Sequence, residues 1–239
     1  EWIEGSPTET PGEITTAGTY NMYCNREARF YVTVLYNDAW FRESNRRTEF
    51  HNPDMDGGGY NSPQAGYLLR KKVHPDHNEL NDNYIYRPGI LYRLGEAYLN
   101  YAEALNECDP GNADILVYLN KIRERAGIPT YGSGPDQIAV DASDQIAMRK
   151  LIRMERRVEL CVEGVRYNDL RRWKEAPEVM NKEPRSWNRD GKTQEDFYQV
   201  IPANQGGRVR VFEAPKSYWL AIPMSQINKN PNLVQNPGY

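Results

Sequence analysis

The chain has 239 residues, 39% of them hydrophobic, with a mean hydropathy of -0.82 and 30 basic against 33 acidic residues, a net charge of -3. That length is enough for a real core, and the charge balance lacks the basic field that draws a protein to nucleic acid or to an anionic membrane. Three cysteines, Cys24, Cys108 and Cys161, are too few for a disulfide framework and match no zinc spacing.

No run of residues is long and apolar enough to span a membrane. There is no signal peptide, and the first residue is Glu1 rather than Met, so an N-terminal part of a longer protein is expected to precede this chain. Residues 1–25 are rich in Gly, Thr, Pro and Glu without a sustained period and predict loop. "RFYVTVLYNDAWF" then alternates Phe30, Val32, Val34 and Tyr36 against Tyr31, Thr33 and Leu35, which predicts a strand apolar on both faces. Residues 42–83 read as a long irregular stretch, a kind that is often functional, with "GYLLRKKV" as a short extended piece inside it.

From Pro88 the pattern turns helical. "PGILYRLGEAYLNYAEALNE" sets Leu91, Leu94, Tyr98, Ala102 and Leu105 at helical spacing, begins at Pro88 and Gly89, and stops at "CDPGN". "ADILVYLNKIRERAGIP" puts Ile115, Leu119, Ile122 and Ala126 on one face, with Gly127 and Pro129 to end it. The short loop between the two predicts an antiparallel helical hairpin. Leu94, Gly95 and Tyr98 fit the start of a tetratricopeptide repeat, with Leu91 in the Trp place. A single repeat cannot bury its own face, so residues upstream or a partner surface are expected to complete it.

A third helix is expected over residues 143–163, with a buried stripe of Met148, Leu151, Met154 or Glu155, Val158, Cys161 and Val162. On that reading Cys161 is a buried free thiol. "RYNDLRRWKEA" predicts a short following helix, "DFYQVIP" and "RVRVFEA" a hairpin, and the tail a short extended piece followed by coil.

Residues 155–173, "ERRVELCVEGVRYNDLRRW", hold five arginines and four acids. As a catalytic site the stretch offers Glu155, Glu159, Glu163 and Asp169, and paired carboxylates do acid–base work in glycoside hydrolysis. The four-residue spacing among Arg153, Arg156 and Arg157 is, however, what ion pairing on a helix surface produces, and arginine neighbours keep carboxylates ionised. As a nucleic-acid patch the arginines are balanced locally by acids. The favoured reading is architectural: a structural ion-pair network of Arg156, Arg157, Glu159, Glu163, Arg166 and Asp169, with guanidinium forks tying chain segments together.

The same stretch resembles the signature of the SusD/RagB family, E-R-R-x-E-L-x-x-E-G-x-R-x-x-D-L-R-R-W. "RLGEAYLNYAEALNE" and "LNKIRERAGIP" are similar to two of its helices, and "IPMSQINKNPNLVQNPGY" to its closing segment. "ARFYVTVLYNDAWF" resembles its D-P-R-F-Y-A-T-V-L-Y segment, departing at Glu27 and Ala28. The resemblance covers residues 26–239, with these motifs in order. It implies a mainly α fold, the C-terminal part of a SusD-like fold, with tetratricopeptide-like helical hairpins, a loop-rich flank and a few short strands. The expected organisation is one domain over 1–239: a loop-rich segment with a strand (1–87), a helical part (88–175), and a hairpin with C-terminal coil (176–239).

The resemblance further implies a non-catalytic protein, lipid-anchored at the cell surface on the outer membrane. Such a protein binds oligosaccharide or another nutrient and delivers it to a SusC-like TonB-dependent transporter. No cofactor and no metal are expected. Sugar binding needs an exposed aromatic platform ringed by hydrogen-bonding groups, and seventeen tyrosines against five phenylalanines suit such contacts. The family's ligand aromatics occupy no fixed motif. Trp40, Tyr36 and Trp2 are therefore nominated from their loop-like surroundings, with Trp187 in reserve, while Trp173 and Trp219 are read as packing residues.

Weaker signals have blander readings. Asp54 and Asp56 in "NPDMDGGGYN" lack the remaining ligands of a calcium loop, and the Gly-rich run lacks the strand-to-helix context of a phosphate cradle. His74 and His77 lack a third zinc ligand. With His51 they are the chain's three histidines, and no Ser/His/Asp arrangement is evident. Two alternatives stand beside the binding reading: a tetratricopeptide-type interaction scaffold without glycan binding, and a glycoside hydrolase built on the charged helix.

Overall fold

The computed structural model describes residues 19–41, 46–74, 76–78, 81–203 and 210–239. The expected single domain divides by its contacts into two compact units, residues up to 163 together with 187–199, and residues 164–186 together with 200–239. The architecture is mainly α with a few short strands, as the sequence implies.

In the first unit, the segment expected to be one strand begins as a helix, α1 (Ala28–Thr33), and only then extends as β1 (Val34–Tyr36). The residues that face inward explain this. Phe30 and Thr33, three apart, turn toward the interior while Val32 stays exposed, a helical and not an alternating spacing. A short segment takes whichever backbone lets its large side chains reach the core. Strand β1 pairs antiparallel with β4 (Tyr67–Leu69), Tyr36 opposite Tyr67, where the sequence predicts a short extended piece. Between them, β2 (Trp40–Phe41) and β3 (Arg46–Arg47) form a second antiparallel ladder, Trp40 opposite Arg47 and Phe41 opposite Arg46.

The helical hairpin follows. α2 (Leu94–Cys108) starts later than Pro88, because residues 84–93 run without regular structure as far as Arg93 at the cap. α3 (Ala113–Arg125) starts at Asn112, whose side chain accepts from the Asp114 N–H at 3.0 Å, a cap that satisfies one of the free donors of the first turn. Its buried face is Ile115, Leu119, Ile122 and Arg123. After β5 (Tyr131–Gly132) and β6 (Ile138–Ala139), α4 (Gln145–Glu159) is capped by Asp144, which accepts from the N–H groups of Ile146 and Ala147. α2 packs against both α3 and α4. Asn106 and Gln145 exchange side-chain-to-backbone hydrogen bonds of 3.1 and 2.9 Å where α2 ends and α4 begins.

α4 corrects the expected stripe. Its buried residues are Met148, Ile152, Glu155, Arg156 and Glu159, whereas Met154 and Cys161 are exposed. The apolar line of the helix is continued by carboxylates, so the face that would have buried Cys161 turns to solvent.

The rest of this unit is an aromatic core of Tyr20, Tyr23, Leu35, Tyr36, Ala39, Phe50, Trp187, Phe197 and Tyr198. Tyr20 stacks on Tyr198 with ring centroids 4.1 Å apart, and Trp187 meets Tyr20 edge-on at 5.3 Å. The excess of tyrosine over phenylalanine has its use here, because the buried hydroxyls find partners. Asn37 donates to the Tyr198 hydroxyl at 2.9 Å, and the Trp187 indole N–H donates to that of Tyr67 at 2.8 Å. Gly66 lies against the Trp187 ring, where a Cβ would come within 2.6 Å of Cδ1, so a larger residue would displace the indole.

The second unit contains α5 (Arg166–Arg172) and α6 (Ala176–Met180), packed through Leu170 and Ala176 onto Phe212. Of the expected hairpin, residues 204–209 lie outside the described residues; "DFYQ" carries a helical turn, α7 (Gln194–Phe197) in the first unit, and β8 (Val200–Pro202) pairs with β7 (Arg185–Trp187). A helical turn, α8 (Met224–Ile227), precedes the coil tail. Gln235 pins that tail by bonding both polar groups of the Ile222 backbone. No helix among the described residues is long and apolar enough to cross a membrane.

Candidate functional site

Two places in the first unit concentrate charge, and their geometry assigns them different work. The first is α4. Glu155 and Glu159, four apart, and Glu163 just beyond the helix stand on one side. Glu155 accepts from Arg29 at 2.6 Å, Arg123 at 2.7 Å and the Tyr131 hydroxyl at 3.2 Å. Glu159 accepts from Arg93 at 2.6 Å, Arg125 at 2.5 Å and Arg29 at 3.2 Å. Glu163 accepts from Lys71 at 2.6 Å and from two nitrogens of Arg93 at 2.7 and 2.8 Å. Every oxygen of these three carboxylates thus holds a charged donor.

The five cations come from four places in the chain: α1, the segment after β4, the residue before α2, and the last turn of α3. Arg29 is itself forked onto Glu27 at 2.8 and 2.9 Å. Burial opposes the charge of Arg29, but its bonds to Glu27 and Glu155 outweigh this and hold the guanidinium firmly protonated. For Glu163, burial alone would raise the carboxyl, yet the bonds from Arg93 and Lys71 prevail and lower it below the usual range. A carboxyl held ionised has no proton to give, so it does not serve as a general acid. Gly95 makes room for the arrangement, since a Cβ there would come within 2.4 Å of the Arg93 guanidinium.

Of the residues expected to form the network, Glu159 and Glu163 are clamped by cations from other segments of the chain. Arg156 bonds Asn100 at 2.7 Å and faces Glu96 at 3.7 Å, both on α2. Arg157 is exposed and makes no ion pair among the described residues. Arg166 lies over the Trp173 ring at 5.8 Å, and Asp169 accepts from Arg172 at 2.9 Å, within the second unit. The clamps on Glu155, Glu159 and Glu163 come from Arg29, Lys71, Arg93, Arg123 and Arg125. One signal pointed to them: Arg123 falls four residues after Leu119 on the apolar face of α3, where a charge is out of place unless it is paired.

The second place is the β2–β3 ladder. Side chains directly opposite one another in a ladder share a face, and successive residues alternate. Phe41 packs against the aromatic core, so the Phe41–Arg46 face is the inner one and the Trp40–Arg47 face the outer. Trp40 is 38% exposed, and its indole N–H has no acceptor among the described residues. Arg46 is closed: both terminal nitrogens bond Asp56, at 2.7 and 2.8 Å, which keeps that carboxyl low. Arg47 is held at one nitrogen only, by the Asp38 carbonyl at 2.9 Å and its carboxylate at 3.3 Å.

Of the nominated aromatics, only Trp40 has an accessible ring in the described residues. Tyr36 and Trp187, 3% and 5% exposed, are core residues and offer no platform, because their ring faces are covered by other aromatics. Trp2 lies outside the described residues. Asp56 is occupied by Arg46, and the ring nitrogens of His74 and His77 accept from the backbone N–H groups of Asp76 and Ile85.

The chain matches the SusD family over residues 3–239. It is 30% identical over 151 residues to SusD-like protein P2 of Formosa agariphila, an alignment covering 63% of this chain and 26% of that protein. Among solved structures it is similar to BT4246, with 26% identity and a TM-score of 0.74, over 100% of this chain and 40% of that one. It is also similar to a SusD-like carbohydrate binding protein from Bacteroides fragilis NCTC 9343, with 25% identity and a TM-score of 0.66, over 96% of this chain and 44% of that one. The chain thus spans less than half the length of these proteins. With the match running over nearly all of its length and the helical hairpin in place, the chain belongs to the SusD family.

Proposed function

We propose that this chain is part of a non-catalytic, lipid-anchored protein of the outer-membrane surface that binds oligosaccharide and delivers it to a SusC-like TonB-dependent transporter. The observation that carries this reading is the likeness, over 96% of the chain, to a solved SusD-like carbohydrate binding protein. The exposed indole of Trp40, whose N–H has no acceptor among the described residues, supplies the aromatic platform such binding requires. The engaged carboxylates of α4 speak against the hydrolase alternative, since none is left open to protonate a leaving group. The test is a glycan screen on the full chain, repeated with Trp40→Ala after circular dichroism has verified the fold. Binding lost in the variant is expected. An unchanged affinity would remove Trp40, and an empty screen would remove the function.

One observation favours a second reading, a tetratricopeptide-type interaction scaffold. Ahead of α2, Tyr86 and Leu91 are 89% and 99% exposed, with Tyr84, Ile90 and Tyr92, and Leu94 at the helix start, also exposed. An apolar row of this kind commonly marks a contact surface. Capture of a protein partner by a chain that binds no glycan would favour it.

A further inference from the structure

We infer that the outer face of the β2–β3 ladder is a subsite for an anionic sugar, with Trp40 supporting the ring and Arg47 holding its carboxylate or sulfate. This rests on the glycan-binding reading and deepens it.

The inference starts from two adjacent arginines that the ladder treats differently. Arg46, on the inner face, has its fork closed by Asp56 and gives a further bond to the Arg47 carbonyl. Arg47, on the outer face, is 43% exposed, and its bonds to Asp38 both leave from the same terminal nitrogen. Its Nε–H and its second terminal nitrogen have no partner among the described residues. That pair is one edge of the guanidinium, two parallel donors at the spacing of carboxylate or sulfate oxygens. The Asp38 anchor fixes the group at its other edge, so little side-chain freedom remains to be lost on binding. Asp38 is in turn held by the Thr19 hydroxyl, which shares its carboxylate oxygen with Arg47. The anchor's charge is therefore spoken for on its own side, away from the open edge.

Trp40 stands directly across the ladder from this edge, on the same face. The closest pairs across an antiparallel ladder have Cβ atoms roughly 5 Å apart, about the width of a pyranose ring. A ring lying on the indole would bring a substituent at its rim to the guanidinium. A neutral sugar would use the indole and leave the two donors to water. An acidic one would use both, and the anion adds charge-assisted bonds that a hydroxyl cannot match.

Calorimetric titration of the full chain with a galacturonate trimer, a sulfated galactose trimer and neutral galactotriose tests this. At low salt the acidic trimers are expected to bind at least about tenfold more tightly than the neutral one, with the gap narrowing as salt rises. Arg47→Gln is expected to abolish the preference while leaving affinity for the neutral trimer in place. Arg47→Lys, which keeps the charge and loses the fork, should retain part of it, and Trp40→Ala should weaken all three. Retained neutral binding in Arg47→Gln separates loss of the anion contact from damage to the ladder. Equal affinities in the unaltered chain, or a preference that survives Arg47→Gln, would overturn the anionic subsite and leave glycan binding standing. No affinity for any trimer would overturn both.

Discussion

On α4, Glu155, Glu159 and Glu163 have every oxygen engaged by arginine, lysine or tyrosine, while on the β2–β3 ladder Arg47, among the described residues, keeps one edge of its guanidinium without a partner beside an exposed Trp40. Both regions collect the same chemical groups. In the first, charges are taken out of water and must be completed by other charges, because an ion buried alone is costly. In the second, the charge sits where water can complete it and a ligand can replace that water. What separates the two regions is how completely the donors and acceptors are paired among the described residues, a property that the number of charges in a stretch does not report.

The comparison can be broken first at Glu159. Replacing it with Ala leaves Arg29, Arg93 and Arg125 facing one another without their shared anion. Losing one partner of a buried ion cluster costs about 3–5 kcal/mol, and urea denaturation should find a loss of that size. A loss below about 1 kcal/mol would mean that the clamp does not hold the helices. Trp187→Ala should cost about 3–4 kcal/mol by emptying the space between Tyr20, Tyr67 and Tyr198. Trp40→Ala, the same change on the outer ladder, should move stability by no more than about 0.5 kcal/mol. The pair of tryptophan variants therefore sharpens the contrast between core and platform.

A smaller effect concerns pH. The Glu163 carboxyl titrates below its ordinary value of 4.5 in the folded chain, because the bonds from Arg93 and Lys71 outweigh its burial. Its contribution to stability is therefore full above that ordinary value and is lost as pH falls through the depressed one. Stability measured from neutral pH downward should decline through this window, and Glu163→Gln should flatten that part of the decline. The smallest effect is at Gly95. Alanine there gains helix propensity, about 1 kcal/mol, but presses on the Arg93 guanidinium. A thermal melt is expected to show a net loss of about 1 kcal/mol or less; a net gain would mean that Arg93 moves aside freely.

Much of the helical half was legible beforehand. α2, α3 and α4 lie where apolar residues recur at three and four. The N-terminal strand was misread because the alternation from Phe30 to Tyr36 is equally compatible with a helical turn that points Phe30 and Thr33 inward. In the stripe of α4, Met148 and Glu155 are buried as expected, whereas Met154 and Cys161 are exposed, because Arg156 and Glu159 continue the inner face. Of the site, Trp40 was nominated and is exposed. Tyr36 and Trp187 were nominated on the same grounds and are buried, since a tryptophan in loop-like sequence carries no local mark of which side it faces.

The amino-acid order by itself determined the helical period and the kinship to the SusD family, both of which are written in residues close together along the chain. Tertiary structure alone decided which charges are closed and which remain open. Arg29 meets Glu155 across 126 positions, Arg93 meets Glu159 across 66, and Trp187 meets Tyr67 across 120. Burial and pairing are set by what the folded chain brings alongside a side chain, and over such separations nothing in the local pattern encodes the neighbour.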